Sequence, residues 1–209
     1  MVCDLPGRPQ QHRELTVYKL HALYRRLCDL LAPLVAWPFI GTALFSDRMN
    51  GEIAQSSILV SRIPFYFGER VRLLYYRRLL QAVGADVTIK YGSFFQYRRA
   101  RVGRRVLVGH FNTMGEVDIG NDVLLGGNIT VLSGLSQHSF EDPDKSIWDN
   151  PSAGRRMIRI GNDVWIGSNV TVGNDVGDRC VVAAGSVVVK PVSSRTVVGG
   201  NPARLLKSI

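Results

Sequence analysis

The sequence is short of the residues that bind metals or form cross-links. Its 209 residues include only 3 cysteines, which lie far apart and form no C-x-x-C pair. Neither a disulfide framework nor a zinc ribbon is indicated, and a reducing cytoplasm is the simpler assumption. There are 4 histidines, and only His110 and His138 lie beyond residue 82. A zinc centre with three histidine ligands is therefore excluded from that part of the chain, and we expect no metal cofactor.

Long apolar runs are also missing. The longest uncharged run of residues 1–82 covers residues 30–46, which is 17 residues, and Pro33 and Pro38 interrupt it. A membrane-spanning helix needs about 20 apolar residues, so we expect this run to lie at an interface or to be packed. The first 26 residues carry charges of both signs and contain no early apolar core. No secretory signal peptide is expected.

Arginine and glycine are abundant. The net charge is +9, from 26 Lys+Arg against 17 Asp+Glu, and there are 21 glycines. Residues 1–82 show leucines at helical spacing and contain 11 basic against 6 acidic residues, a net charge of +5. Residues 83–209 are rich in valine, isoleucine, glycine and Asn-Asp turn signals. We expect an N-terminal helical or capping segment, 1–82, and a mainly β domain, 83–209.

An aliphatic or aromatic residue recurs every six positions through the β domain. Six residues are too few for a hairpin but fit one short strand with a corner, so three units make a triangular coil of about eighteen residues. Each inward residue then stacks on its counterpart one coil away, about 4.8 Å along the axis. The repeat residues are Val83, Ile89, Phe95, Val102, Val108, Met114, Ile119, Leu125, Val131, Ile160, Ile166, Val172, Val176, Val182 and Val188.

This periodicity is compatible with two folds, of which a coiled stack of short strands is the first. An ordinary β-sandwich with glycine-rich turns is the alternative, but five groups of three repeat residues are hard to produce by chance. The step from Val172 to Val176 is four residues, which we interpret as a shortened corner because the six-residue spacing resumes at once. The periodicity therefore predicts a parallel β-helix.

Three C-terminal segments resemble those of a known family. Asp163-Val-Trp-Ile-Gly-Ser168, Ala183-Ala-Gly-Ser-Val-Val-Val-Lys-Pro191 and Gly199-Gly-Asn-Pro-Ala-Arg-Leu-Leu-Lys207 are similar to segments of hexapeptide-repeat acyltransferases. The resemblance covers about residues 64–209 and is strongest over 160–207. It implies a left-handed parallel β-helix of about five coils with an N-terminal helical segment and a short C-terminal helix. The handedness comes from the resemblance alone, since parallel crossovers are generally right-handed.

The resemblance also implies acetyl-CoA as co-substrate. Coenzyme A needs a long groove with backbone hydrogen-bonding groups for pantetheine and cations for its phosphates. Val189 stands where the family usually has threonine, so only its backbone could contribute. By family position, the groove would be lined by Trp165, Ser168, Ala184, Gly185, Val189, Lys190, Arg204 and Lys207.

The long break in the repeat, residues 132–159, is the expected active-site loop. It opens with His138, whose position resembles that of the catalytic histidine of galactoside, maltose and xenobiotic acetyltransferases. An imidazole suits a general base at neutral pH, and Glu141 or Asp142 would orient it. His110 is the rival, although a residue inside a coil more often has a structural position. Asn112 aligns with an acceptor-binding asparagine of the sugar enzymes.

One departure from the family leaves the acceptor open. The sugar enzymes have an acidic residue a little beyond their asparagine, and here Thr113-Met-Gly-Glu116 stands in that place without a clear match. We expect O-acetylation of a carbohydrate hydroxyl. Two alternatives stay open: N-acetylation of an amino-sugar nucleotide, and a non-catalytic scaffold trimer. Residues 63–84 resemble the lead-in of acetyltransferases of polysaccharide and lipopolysaccharide assembly.

The expected partners follow from these readings. The family resemblance implies a homotrimer with sites between subunits. Residues 20–80 either cap the β-helix or also contact the membrane surface, which would place the protein in the cytoplasm or at the inner face of the cytoplasmic membrane. The arginines of residues 98–105 form one short cluster without a recognisable module, so no nucleic acid is expected.

Overall fold

Three helices precede a stack of short strands in the computed structural model. It describes residues 8–135, 138–139, 141–150 and 154–209, with side chains described from residue 18 onward. The helices are α1 (Arg8–Asn50), α2 (Ala54–Ser61) and α3 (Phe65–Leu79). Pro33 and Pro38 lie inside α1, so the sequence run that they interrupt is nevertheless helical.

The strands form three parallel faces of a β-helix. Face A contains β1 (Ala82–Val83), β4 (Arg101–Val102), β7 (Val117–Ile119) and β10 (Ile158–Ile160). Face B contains β2 (Val87–Ile89), β5 (Val106–Val108), β8 (Val123–Leu125), β11 (Trp165–Ile166), β13 (Val181–Val182), β15 (Thr196–Gly199) and β16 (Arg204–Ser208). Face C contains β3 (Phe94–Phe95), β6 (Thr113–Met114), β9 (Thr130–Val131), β12 (Thr171–Val172) and β14 (Val187–Val188).

The six-residue repeat stacks as predicted. On face A, Val102 pairs with Val83 on one side and with Ile119 on the other. On face C, Met114 pairs in the same way with Phe95 and Val131. Every repeat residue except the half-buried Val83 is buried. The core is therefore a set of columns in which each side chain packs on the equivalent residue of the next coil.

Two details of the C-terminal end differ from the prediction. A sixth coil is present, because Val192 bridges to Val176 and Val198 pairs with Val182. It follows a second four-residue corner, from Val188 to Val192, which the count of five coils missed. The predicted short C-terminal helix is wrong, since β16 is a strand that runs antiparallel to β15. The unpaired edge of β15 offers hydrogen bonds that a terminal helix could not accept.

Helices α2 and α3 cover the open end of the first coil. The backbone N–H of Ile53 donates to Gln96 O at 3.0 Å, and the N–H of Phe95 donates to the Tyr76 hydroxyl at 3.2 Å. The fully buried Arg72 donates from Nε to Ile89 O at 2.9 Å and from Nη1 to Ile63 O at 2.7 Å. These contacts satisfy backbone groups that have no preceding coil to pair with.

Helix α1 lies outside this cap. Its small inner residues, among them Ala32, Ala36 and Ala43, are buried, and the helix packs on α3 and α2. Asp47 near its C-terminal end accepts a hydrogen bond from Arg98 at 2.9 Å. The cap is thus made by α2 and α3, and α1 forms a second layer on them.

Arg72 should be essential to the cap. Replacing it in Arg72→Met leaves buried carbonyls of Ile89 and Ile63 without donors, which should lower the free energy of unfolding by about 2–4 kcal/mol. Arg77→Met, on an exposed position of the same helix, is the matched control and should change it by less than about 0.5 kcal/mol. Urea unfolding of both variants measures the difference, and equal losses would contradict this role for Arg72.

Candidate functional site

The expected active-site loop leaves the β-helix at the edge between faces C and A, the C–A edge. It begins after β9 and ends before β10. His138 is solvent-exposed in its first part. Ser136, Gln137 and Phe140 around it lie outside the described residues. The imidazole is therefore accessible to a substrate on this edge.

The loop is closed at its base by backbone and side-chain hydrogen bonds. The N–H of Arg156 donates to Ser133 O at 2.8 Å, which joins the two ends of the loop. The Arg156 guanidinium also donates to the Asp175 carboxylate at 3.0 Å and to Asn174 Oδ1 at 2.9 Å. Burial acts to raise the pKa of Asp175, but the hydrogen bonds from Arg159 N–H and Arg156 outweigh it and hold that pKa below its usual range. The loop is thus attached to the C–A corner of the fourth coil, at Asn174 and Asp175.

A second ion pair lies under the same base. The Glu116 carboxylate is buried, and Arg155 Nε lies 3.2 Å from its Oε1. Arg99 approaches the other carboxylate oxygen at 3.7 Å. The Arg155 guanidinium stacks over the Tyr97 ring, 4.3 Å from its centroid, and burial raises the pKa of the Tyr97 hydroxyl. Two successive arginines therefore hold the loop exit to different coils.

The sequence does not predict this anchoring. Glu116 ends the segment that stands, without a clear match, where the sugar enzymes have an acidic residue, and no motif marks Arg155. The two are 39 residues apart in sequence, and nothing in either local segment indicates the pairing. The one feature of the sequence that could have indicated the pairing is the isolated acidic residue at this coil corner.

The acidic residues of the loop are partly committed elsewhere. Asp142 pairs with Lys145 at 2.9 Å, and its other oxygen accepts the Asp144 N–H at 3.1 Å. The hydrogen bond from Lys145 lowers the pKa of Asp142. Of the two residues proposed to orient His138, Asp142 thus stabilises its own turn, and Glu141 has the freer carboxylate of the pair.

Three of the predicted cofactor residues share the edge between faces B and C, the B–C edge. Ser168, Ala184 and Gly185 are exposed there on consecutive coils, and the N–H of Gly185 donates to Ser168 O at 2.9 Å. Gly185 has a φ of +73°, and a Cβ built on it would meet only open space. A ligand could therefore approach this stretch of backbone closely.

The other cofactor residues lie on face B and on the C–A edge. Trp165 projects outward from β11 with 56% of its surface exposed. On β16, Arg204 pairs with Gly199 and Lys207 with Val197, and both cations are exposed. Val189 and the exposed Lys190 follow β14 at the C–A edge. Lys190 thus shares an edge with the His138 loop and not with Ser168.

The acceptor candidate Asn112 lies inside the coil. It has no exposed surface, its amide donates to Gly126 O at 2.8 Å and its oxygen accepts the Ile129 N–H at 2.7 Å. Its neighbour His110 is exposed on the B–C edge. In the single subunit Asn112 shapes this corner, and its contact with an acceptor stays a prediction.

A groove runs along the edge between faces A and B, past Arg159, Asn162 and Asp178. None of the predicted site residues lines it. Among the described residues, no cluster of three or more metal-ligating side chains occurs either. The exposed predicted residues instead lie on the B–C edge, on the C–A edge and on the outer side of face B.

The loop base should depend on the Glu116 charge. Glu116→Gln keeps the shape but loses the ionic contacts to Arg155 and Arg99, so the loop should open more often and trypsin should cut at Lys145 several-fold faster. Glu141→Gln, a change of an exposed loop acid that does not adjoin the cleaved bond, is the control and should leave the rate unchanged. Mass spectrometry of the fragments measures cleavage. Equal rates in wild type and Glu116→Gln would show that the pair does not hold the loop.

Comparisons with known proteins agree with this architecture. The family model described as hexapeptide repeat of succinyl-transferase matches residues 157–190. A bifunctional GlmU protein of Streptococcus pyogenes is 24% identical over 171 residues, covering 80% of this chain and 34% of its own length. The chain thus spans about a third of the length of the curated relatives that it matches.

Solved structures are similar over a larger share of their length. A hexapeptide-repeat acetyltransferase of Vibrio cholerae, complexed with acetyl coenzyme A, is 28% identical with a TM-score of 0.62, covering 74% of this chain and 84% of that one. A maltose O-acetyltransferase of Clostridium difficile is 25% identical with a TM-score of 0.65, covering 74% and 83%. The predicted resemblance is therefore confirmed: the chain has the left-handed parallel β-helix fold of hexapeptide-repeat acetyltransferases.

Proposed function

We propose that the protein transfers an acetyl group from acetyl-CoA to a hydroxyl group of a carbohydrate. The observation that supports this most directly is the exposed His138 in a loop whose base is fixed to a rigid coil stack. Because the two ends of the loop are fixed, the His138 imidazole is held at one place on the edge, as a general base requires. Acetyl-CoA is bound in the Vibrio cholerae relative, and a maltose O-acetyltransferase shares the fold.

The chemistry needs one base and no covalent enzyme intermediate. The imidazole of His138 takes the proton of the acceptor hydroxyl as its oxygen attacks the thioester carbonyl. The tetrahedral oxyanion requires preorganised hydrogen-bond donors. When it collapses, the carbon–sulfur bond breaks, and the imidazolium returns the proton to the leaving thiolate. The products are the acetyl ester and free coenzyme A.

The cofactor would be held by both edges. Backbone at Ala184 and Gly185 suits the pantetheine arm, which runs along a surface without side-chain obstruction. Lys190, Arg204 and Lys207 are exposed cations suited to its phosphates. Within one subunit, five extended residues separate Gly185 from Lys190, which is about 16 Å. One subunit therefore presents half of the binding surface on each edge.

A homotrimer would bring these halves together. A threefold axis parallel to the β-helix places the C–A edge of one subunit beside the B–C edge of the next. His138 and Lys190 of one copy would then face Ser168, Ala184 and Gly185 of its neighbour.

The biological acceptor would be a glycan of surface polysaccharide or lipopolysaccharide assembly. Residues 63–84, which resemble the lead-in of such enzymes, form the cap helix α3 and the first strand. The enzyme would act in the cytoplasm or at the inner face of the cytoplasmic membrane. N-acetylation of an amino-sugar nucleotide uses the same scaffold and cofactor, and it is the outcome that the acceptor test must separate.

A pair of matched acceptors tests the reaction. With acetyl-CoA, a hydroxyl sugar should gain one acetyl group that alkaline hydroxylamine removes, because oxygen esters are labile to it and amides are not. In His138→Ala, kcat should fall by roughly 10²–10⁴, while acetyl-CoA binding by calorimetry stays unchanged. His21→Ala, exposed on α1, is the control and should retain full activity.

Three other results would contradict the proposed reaction or the proposed base. Hydroxylamine-resistant product on an amino sugar alone would establish the N-acetyltransferase instead. Loss of activity in His110→Ala with full activity in His138→Ala would reverse the assignment of the base. No acetyl-CoA binding in the wild type would leave the non-catalytic scaffold trimer.

Mixing two inactive variants tests the composite site. His138→Ala removes the base from the C–A edge, and Ala184→Trp obstructs the B–C edge, so each homotrimer should be inactive. After unfolding and refolding as an equal mixture, one native edge meets another at about a quarter of the interfaces, and about a quarter of wild-type activity should return. The His138→Ala variant mixed with His138→Gln gives the background. Activity that does not rise above it would place the whole site within one subunit.

A further inference from the structure

The outward side of α1 is a long apolar surface that the fold does not use. Its large side chains point away from α2 and α3, and Leu23, Leu30 and Leu34 expose 64%, 71% and 70% of their surface. We call this surface the outer stripe: Leu20, Leu23, Leu27, Leu30, Leu34, Trp37 and Phe45. It extends for about 38 Å along the helix. Soluble monomers rarely expose a continuous apolar surface of this extent.

Capping of the β-helix does not account for the outer stripe. The first coil is covered by α2 and α3, through Arg72, Tyr76 and the backbone of Ile53. The contribution of α1 comes from its opposite face, where Cys28, Ala32, Ala36, Ile40 and Ala43 are buried. The stripe is thus left for a partner outside the subunit.

Charge around the stripe indicates an anionic partner. Arg26 is exposed on α1, and the Arg78 guanidinium of α3 lies 5.1 Å from the Trp37 ring centroid. The two acidic residues of α1 in this region are each paired with an arginine, Asp29 with Arg70 and Asp47 with Arg98. The exposed charge that remains is therefore mainly positive. An apolar surface bordered by arginines and an aromatic ring is typical of helices that lie in a membrane interface.

We propose that the outer stripe docks the protein on an anionic lipid bilayer, with α1 lying in the plane of the membrane surface. The stripe enters the acyl boundary while Arg26 and Arg78 contact lipid phosphates. Docking of the outer stripe on a bilayer does not depend on whether the acceptor is a carbohydrate.

The contacts of α1 favour lying along the membrane over crossing it. By length and composition Tyr18–Asn50 is apolar enough to cross a bilayer. Its ion pairs at Asp29 and Asp47 nevertheless fix it to the body at two points, 18 residues or about 27 Å apart. A spanning helix would have to break both and expose its buried alanine face to lipid, so a helix held along the body is the arrangement that keeps every contact.

A second copy of α1 is the competing occupant. The leucines of the stripe follow a three-then-four spacing that also occurs in coiled coils. The two sides of the stripe, however, have the apolar Leu31 and Leu44 where a coiled coil usually has charged pairs, and Pro33 and Pro38 lie in the same length of helix. The stripe is also wider than such a seam. A bilayer accommodates this width, whereas a partner helix covers only part of it.

Vesicle flotation of the full-length protein tests the proposal. Wild type should float with phosphatidylcholine vesicles that contain phosphatidylglycerol and bind at least tenfold less to pure phosphatidylcholine. The triple variant Leu23→Gln, Leu30→Gln, Leu34→Gln should lose at least tenfold in binding while keeping the melting temperature of the wild type. Leu206→Gln, equally exposed at the far end of the β-helix, is the control and should bind as wild type does. Arg26→Gln should weaken binding to the anionic vesicles about fivefold.

Three outcomes would overturn it. Equal binding of wild type and the triple variant would show that the stripe is not the contact. Failure of the wild type to float, together with an assembly larger than that of the triple variant in light scattering, would assign the stripe to a second copy. Resistance of bound wild type to alkaline carbonate, with α1 protected from protease, would show that the helix crosses the bilayer. Acetyl transfer to a soluble acceptor, measured alongside, keeps these results separate from any failure of the proposed reaction.

Discussion

The stacking of one coil on the next is the constraint on which the rest of the structure depends. A single coil cannot bury its inward side chains or pair its backbone, so each needs a neighbour on both sides. In the middle of the stack Val102 and Met114 have such neighbours. At the first coil they must be replaced, and the buried guanidinium of Arg72 does this for the carbonyl of Ile89. At the last coil β16 pairs with β15.

The rigid stack separates the site into two edges. Corners at the same angular position line up along the axis, so Ser168, Ala184 and Gly185 form one strip and Lys190 lies on another. The active-site loop departs from the second strip, and its two ends are joined by the Arg156–Ser133 hydrogen bond. The triangular cross-section causes this division, and in the proposed trimer the edge of a second subunit would complete the site. The rigid stack also gives the two ends of the loop a fixed point of attachment.

The N-terminal segment combines two roles that the sequence left as alternatives. Helices α2 and α3 cap the β-helix, whereas α1 buries its alanines and leaves its leucines outward. Burial and exposure on opposite sides of one helix are compatible because the two residue sets differ by half a turn. The capping function and the proposed membrane contact therefore belong to different helices and faces.

The β-helix, its columns and the segments that resemble acetyltransferases can be read from the amino-acid sequence, because a six-residue period leaves each repeat residue only one side to face. The loop with His138 can be read as well, since the break in the period is visible in the chain. The fold was needed to show which edge each residue occupies, because that depends on corners of four, five or seven residues summed over the stack. It alone paired Glu116 with Arg155, and it turned residues 204–208 from an expected helix into a strand, because the unpaired edge of β15 outweighs local helix propensity.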